Sequence, residues 1–241
     1  MKKLLILILL LIISCAHKLT IDGMSAQQKI KIADKLYSKK NFHKAQETYE
    51  IITFESKGDT LIEKAQYQLA NCYYNLKLYE DAIFEYEELL RLFPFSQYSE
   101  NADFNIGVCW YKLSLPSYYE QEETYNAIEQ FKLFLDKYPN SEKIQDVENI
   151  LAKCTNKFLT KKYNNAYIYY KMGYYNASVM YLNEIFDENI IGEIDKKALI
   201  LAAKIYHKKD DKSALEKVYQ TFKQKYPDNL EIEKVRQFLE K

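Results

Sequence analysis

Glycine and proline are scarce in this chain, with five Gly and four Pro among 241 residues. Tight turns and strand connections depend on these residues, and the sequence also lacks short β-branched runs bounded by turn residues. The scarcity argues against a β-rich fold and favours helices.

Residues that commonly perform catalysis or bind metals are also few or scattered. The histidines, His17, His43 and His207, belong to no cluster with the metal-ligand spacing of Cys, His and carboxylate residues. Neither a Gly-rich phosphate loop nor a G-x-S-x-G nucleophile motif occurs. We therefore expect no catalytic residues, no metal, no cofactor and no small-molecule substrate.

Net charge is absent as well, because 34 Lys and Arg balance 34 Asp and Glu. This balance argues against a nucleic-acid-binding protein, which would carry a basic face. What the chain does have is 48% apolar residues and 23 Tyr. The apolar residues suffice for a sizeable core, and tyrosine suits both helix packing and protein-binding surfaces.

The N-terminus has the pattern of an export signal. Lys2 and Lys3 precede an apolar stretch from Leu4 to Ile13, which is too short to span a bilayer as a helix. The stretch ends in Ile-Ile-Ser-Cys at Cys15, which resembles the bacterial lipobox. The alternatives are an ordinary secretory signal with an accidental Cys, or an uncleaved anchor.

The lipobox resemblance implies that residues 1–14 are cleaved and that Cys15 carries a covalent diacylglycerol and acyl (palmitate) lipid. Several acyl chains give stable anchoring, because each buried methylene contributes about 0.8 kcal/mol. Ala16, rather than Asp, follows the Cys. In Gram-negative lipoproteins, this absence of Asp resembles a sorting signal for the outer membrane. Residues 15–24 are then a lipidated tether.

The rest of the chain repeats a block in which an aromatic residue precedes a small one and a second large residue follows. The small residues of the five copies are Ala45, Ala82, Ala127, Ser178 and a degraded copy at Ala214. Upstream, Leu69-Ala70 and Ile106-Gly107 place a small residue where two helices would approach closely. Downstream, Pro94, Pro139 and Pro227 would end the second helices.

This pattern resembles the tetratricopeptide repeat (TPR). The resemblance implies an all-α, right-handed superhelix of about five repeats, and the apolar stripe Ile232, Val235, Phe238 and Leu239 predicts a C-terminal capping helix. Two intervals are longer than the repeat. Residues 114–124 form an insert between the two helices of the third repeat, and residues 140–158 predict a lengthened helix leading into the fourth.

The chain as a whole resembles the BamD family, the lipoprotein of the outer-membrane β-barrel assembly machinery. The segments that carry the resemblance are the lipobox, 123–131 (ETYNAIEQF), 138–141 (YPNS) and 169–175 (YYKMGYY). It implies a position on the periplasmic face of the outer membrane. The implied partners are the periplasmic domains of the barrel-forming assembly protein and the C-terminal segments of unfolded outer-membrane proteins.

Departures from the family pattern are the worn fifth repeat, where 207–211 replaces a Gly-containing turn, and the absence of a Pro after the first repeat. We expect an N-terminal module at 25–140, with repeats 1–3 and a substrate groove, and a C-terminal module at 141–241 that binds the partner. Groove residues follow from the repeat register, as first-helix positions not used in packing. They are Asp34, Tyr37, Lys64, Tyr67, Asn71, Tyr74, Asn75, Phe104 and Tyr111.

Two further expectations remain. Cys72 and Cys109 occupy equivalent positions roughly 10 Å apart in adjacent repeats, too far for a disulfide, and are expected to be free buried thiols. Competing functions are another TPR lipoprotein, such as a secretin pilotin or cell-envelope coordination factor, and a cell-wall hydrolase, which only the exported location favours.

Overall fold

The computed structural model describes residues 21, 23–55 and 61–240, and within them it contains eleven α-helices and no strand. The leader, Cys15 and most of the tether lie outside the described residues. The helices are α1 (Ala26–Ser38), α2 (Phe42–Glu55), α3 (Ile62–Asn75), α4 (Tyr79–Leu92), α5 (Ser99–Leu113), α6 (Glu122–Lys137), α7 (Ile144–Lys171), α8 (Tyr175–Phe186), α9 (Glu193–Lys208), α10 (Lys212–Lys225) and α11 (Ile232–Leu239).

The chain divides into two compact units, one ending at Leu89 and the other beginning at Leu90. The first has a core of buried residues from α1, α2 and α3. The second contains α5 to α11, and its largest core cluster runs from Leu159 to Val235. These are compact units of structure; the predicted functional modules at 25–140 and 141–241 stay a prediction.

Four helix pairs, α1/α2, α3/α4, α7/α8 and α9/α10, are joined by the same turn. In each, one residue has a left-handed backbone: Lys40, Lys77, Gly173 and Asp210, with φ between 53° and 82°. The following amide donates to a carbonyl five residues back, as from Asn41 to Leu36 and from Asp211 to Tyr206. This is a Schellman C-cap, which satisfies the last carbonyls of the first helix and reverses the chain.

Small residues occupy the contact between the helices of each pair, as the repeat pattern predicts. Ala33, Ala70, Ala166 and Ala203 on the first helices are fully buried. Twelve residues after each come Ala45, Ala82, Ser178 and Leu215, also buried. In the fifth repeat the equivalent position is therefore Leu215, one residue beyond the predicted Ala214.

The third pair, α5/α6, also depends on a small residue. A Cβ added to Gly107 would lie 2.7 Å from Cε1 of Phe131, whose ring is fully buried. Only glycine permits this approach of α5 to α6. The two helices are joined by the predicted insert, since α5 ends at Leu113 and α6 begins at Glu122.

The remaining predictions about elements are confirmed. Helices α4, α6 and α10 each end two residues before Pro94, Pro139 or Pro227, because proline and the residue preceding it cannot continue a helix. Of the interval 140–158, residues 144–158 belong to the 28-residue α7, which packs on α6, α8 and α9, and residues 140–143 form the turn before it. The C-terminal stripe forms α11, which packs on α9 and α10 with Val235 fully buried. The all-α TPR class is thus confirmed.

Candidate functional site

Seven of the nine predicted groove residues lie on α1 and α3 in the first unit, where side chains link the two helices. The Nζ of Lys64 lies 2.5 Å from Oδ2 of Asp34, and Nδ2 of Asn75 donates to the hydroxyl of Tyr37 at 3.0 Å. Lys64 and Asn75 are eleven residues apart, which is about 16 Å along a helix. The linked face is therefore long enough for about five residues of extended peptide.

Two of these residues also stabilise the fold by hydrogen-bonding to buried tyrosines. Asp34 accepts a hydrogen bond from the hydroxyl of Tyr49, and Asn71 accepts one from Tyr86, both at 2.6 Å. Tyr49 and Tyr86 are fully buried residues of the second helices. Burial and the Asp34 carboxylate raise the pKa of Tyr49 well above its ordinary value. The polar row of the first helices thus satisfies the buried tyrosines of the second helices.

The tyrosines of this face are half-buried and held by ring contacts. Tyr67 lies against Tyr86, with ring centroids 6.0 Å apart, and Tyr74 meets Tyr79 edge-on at 5.7 Å. Tyr37 meets Phe42 in the same way at 5.3 Å. Rings held in this way present a fixed aromatic edge to a ligand at little entropic cost.

The other two predicted residues lie in the second unit. Phe104 packs between Phe131 and Phe134, at 6.1 and 5.9 Å, and so contributes to the contact of α5 with α6. The ring of Tyr111 lies under the Nζ of Lys157 at 5.5 Å. Sequence register placed Phe104 among residues not used in packing, whereas the structure gives it a packing role.

The third-repeat insert is organised by one buried side chain. The amide nitrogen of Gln121 donates to the carbonyls of Pro116, Tyr119 and Glu120 at 2.9 to 3.1 Å, and its oxygen accepts from Thr124 at 2.8 Å. The loop is thus held in shape without regular secondary structure. Its Tyr118 is 71% exposed.

Beside the insert lies a cavity of about 460 Å³, which the repeat register does not predict. Its walls carry Tyr125, Phe158 and Tyr181, together with Lys161 and Lys162. The lysines are paired, Lys161 with Glu120 at 2.8 Å and Lys162 with Glu184 at 2.7 Å. The aromatic and acidic composition of the insert was the sequence signal for a surface here, but α7 and α8 supply the opposite wall.

The described residues show little sign of other chemistry. Cys72, Cys109 and Cys154 are free and buried. Within the part of the chain that the structure describes, His, Cys, Asp and Glu side chains form no group of three that could hold a metal ion. In the same residues, no helix combines the length and apolar character needed to cross a bilayer. Cys15, the predicted lipidation site, lies outside this part.

Comparison with known proteins gives both a family and distant structural likenesses. Comparison with curated proteins gave no match. PilF of Pseudomonas aeruginosa is 17% identical over 91% of this chain and 84% of its own, with a TM-score of 0.39. The TPR2AB domain of yeast Sti1 is 15% identical over 90% and 98%, with a TM-score of 0.43. PilW, a type IV pilus biogenesis factor, is 16% identical over 89% and 99%, with a TM-score of 0.39.

These structural likenesses are too low to carry an argument about function. The family match is different in kind, because the YfiO model, described as outer membrane lipoprotein, covers residues 22–221. That range includes α1 to α9 and the larger part of α10. The chain therefore belongs to the YfiO family of outer membrane lipoproteins, the BamD family that its sequence resembles.

Proposed function

We propose that this protein is a scaffold of the machinery that assembles β-barrel proteins in the outer membrane. A lipid on Cys15 holds it at the periplasmic face, and it binds the periplasmic domains of the barrel-forming assembly protein. It also helps to recognise unfolded outer-membrane proteins before insertion. The family match to outer membrane lipoproteins over residues 22–221 is the observation that carries the proposal.

The α1/α3 face is the proposed binding surface for the C-terminal segment of an unfolded substrate. Its tyrosines offer ring edges for aromatic side chains, and Asn71 and Asn75 offer amides for the main chain of an extended peptide. The ion pair between Lys64 and Asp34 leaves the face without excess charge at that point. Such a face favours apolar and aromatic segments over highly charged ones. The partner-binding surface is proposed for 141–241.

Crosslinking tests the substrate face. A synthetic peptide from the C-terminus of an outer-membrane protein, carrying a photoreactive group, should crosslink to the wild-type protein. We expect Tyr67→Ala with Tyr74→Ala to reduce the yield severalfold, because two aromatic anchors are removed. The matched control is Tyr118→Ala with Tyr119→Ala, which removes two exposed tyrosines of the insert.

Circular dichroism and thermal unfolding must accompany this test, since Tyr67 also packs on Tyr86. Asn75→Ala is a milder variant on a more exposed side chain and should also reduce the yield. Equal crosslinking of the groove variants and the insert control would refute the assignment of the substrate to α1 and α3.

Affinity purification tests the proposed machine. Protein recovered from detergent-solubilised outer membranes should bring with it a large barrel protein that has repeated periplasmic domains. Recovery of a pilus secretin in its place would favour a pilotin. Hydrolysis of peptidoglycan by the pure protein would contradict the scaffold function and favour a cell-wall hydrolase.

A further inference from the structure

A long basic and aromatic segment lies in the second unit. The chain has 34 acidic residues, yet none occurs between Glu148 and Glu184. That segment holds five lysines and seven tyrosines. It forms most of α7, the α7–α8 turn and most of α8.

The end of this segment is exposed and apolar. Ile168 is 55% exposed, Met172 60% and Tyr174 58%. They lie on the last turn of α7 and at the start of α8, where the chain reverses at Gly173. Lys171, between Ile168 and Met172, is also exposed and forms no ion pair with any residue that the structure describes.

The α9–α10 turn adds further lysines beside the first turn. The Nζ of Lys209 donates to Oδ1 of Asn176 at 2.7 Å, and the Nζ of Lys208 lies 5.8 Å from the ring centroid of Tyr170. A cavity of about 490 Å³ beside this contact is lined by residues 173–177 and Lys209. The turn also holds two carboxylates. Asp211 accepts from the amide of Ala214 and so caps α10, whereas Asp210 is exposed, beside the exposed Lys208 and Lys209. We call Ile168, Lys171, Met172, Tyr174, Lys208 and Lys209 the turn surface.

The composition of the turn surface distinguishes between two kinds of partner. Protein interfaces are enriched in Tyr and Met but depleted in Lys. Membrane interfaces favour lysine and tyrosine together, because both place an apolar body in the boundary region and a polar end in water. An anionic headgroup layer also complements a lysine-rich surface that has few carboxylates.

From these observations we propose that the turn surface binds anionic phospholipid headgroups directly, as a membrane contact additional to the lipid on Cys15. The lipid anchor keeps the turn surface close to the bilayer, so this proposal rests on the proposed lipidation of Cys15. Ten residues separate Cys15 from the start of α1, so a stretched tether keeps the body within roughly 40 Å of the bilayer. At that effective concentration, a contact that is weak in solution is largely occupied.

Sedimentation with vesicles tests the contact apart from the anchor. The unlipidated polypeptide from Ala16 onward contains every helix that the structure describes. It should bind vesicles of phosphatidylcholine mixed with phosphatidylglycerol more tightly than vesicles of phosphatidylcholine alone, and added salt should weaken the binding. Lys171→Glu with Lys209→Glu should reduce the affinity at least roughly tenfold, because two attractive charges become repulsive.

The control variant is Lys217→Glu with Lys223→Glu, which changes net charge equally at two exposed positions on α10 and should retain the binding. Met172→Ser with Tyr174→Ser leaves the charge unchanged and should also weaken binding, which separates apolar insertion from general attraction. Equal binding of the test and control charge variants would overturn the proposal. Equal binding to neutral and anionic vesicles would also overturn it. The scaffold role stands or fails separately, by copurification.

Discussion

At the scale of single residues, the environment of each cysteine sets its chemistry. Cys72, Cys109 and Cys154 are fully buried among helices. Burial raises the thiol pKa of Cys72 and Cys109 to about 12, and that of Cys154 to about 11. Because the thiolate is the reactive form, these side chains are inert in the folded protein.

Alkylation and pH-dependent unfolding test this assignment. At about pH 8, iodoacetamide should label none of the three buried cysteines until urea unfolds the chain. Their folded pKa values lie above the unfolded value of 9.0. The folded state therefore holds thiol protons that the unfolded state has lost. The contribution of the thiols to the free energy of unfolding should be constant below about pH 9 and fall between about pH 9 and 12. Labelling of the native protein, or greater stability at high pH, would contradict it.

Two buried carboxylates each link the start of the first helix of a pair to the end of the second helix. Asp195 on α9 is fully buried and accepts from the Tyr226 hydroxyl at 2.7 Å, with Lys225 at 3.3 Å. Asp103 on α5 makes the same contacts with Tyr138 and Lys137. In both pairs a Lys-Tyr-Pro sequence ends the second helix. The same sequence therefore ends the helix and supplies partners for a carboxylate that would otherwise be costly to bury.

At the scale of elements, the spacing between helices depends on the smallest residues. Gly107→Ala should destabilise the protein by about 1 to 3 kcal/mol, because the added Cβ would meet the buried ring of Phe131. This loss should exceed the gain of up to about 1 kcal/mol that alanine brings in helix propensity. Urea unfolding measures the difference.

The matched control is Gly192→Ala. Its backbone is extended, at φ 172°, and an added Cβ would meet nothing within 4 Å. It should change the free energy of unfolding by less than about 0.5 kcal/mol. A Gly107→Ala protein as stable as this control would show that α5 and α6 can separate without cost.

Helix α7 illustrates how one long element serves two repeats. Its first half follows α6, and its second half is the first helix of the fourth pair, with Ala166 packed on α8. The hydroxyl of Ser178 donates to the carbonyl of Ala166 at 2.7 Å, which fixes that contact. The length of α7 accounts for the irregular spacing before the fourth repeat, and it also supplies a wall for the cavity beside the insert.

At the scale of the whole molecule, the proposed anchoring depends on one residue, Cys15. Cys15→Ala should abolish incorporation of labelled palmitate and leave an uncleaved precursor outside the outer-membrane fraction, because only a thiol can take the thioether-linked lipid. Cys72→Ser should keep both the label and the location. Metabolic labelling with membrane fractionation provides the measurement, and a labelled Cys15→Ala protein would contradict the lipobox assignment.

The sequence by itself determined the helical class, the helix pairs and the places where three of the second helices end. These properties are local, because the Ala and Gly positions, the aromatic spacing and Pro94, Pro139 and Pro227 act within a few turns of chain. It also identified the family, because each segment that carries the resemblance is a continuous stretch of sequence. The register of the fifth repeat was less secure, because Leu215 there replaces a small residue.

Only the tertiary structure decided which polar and aromatic residues remain available for binding. Asp34 and Asn71 bond to tyrosines fifteen residues away, and Phe104 packs on α6. The cavity beside the insert and the turn surface each combine residues from segments distant in sequence. Such surfaces depend on long-range packing, which fixes distances and exposure that periodicity alone does not contain.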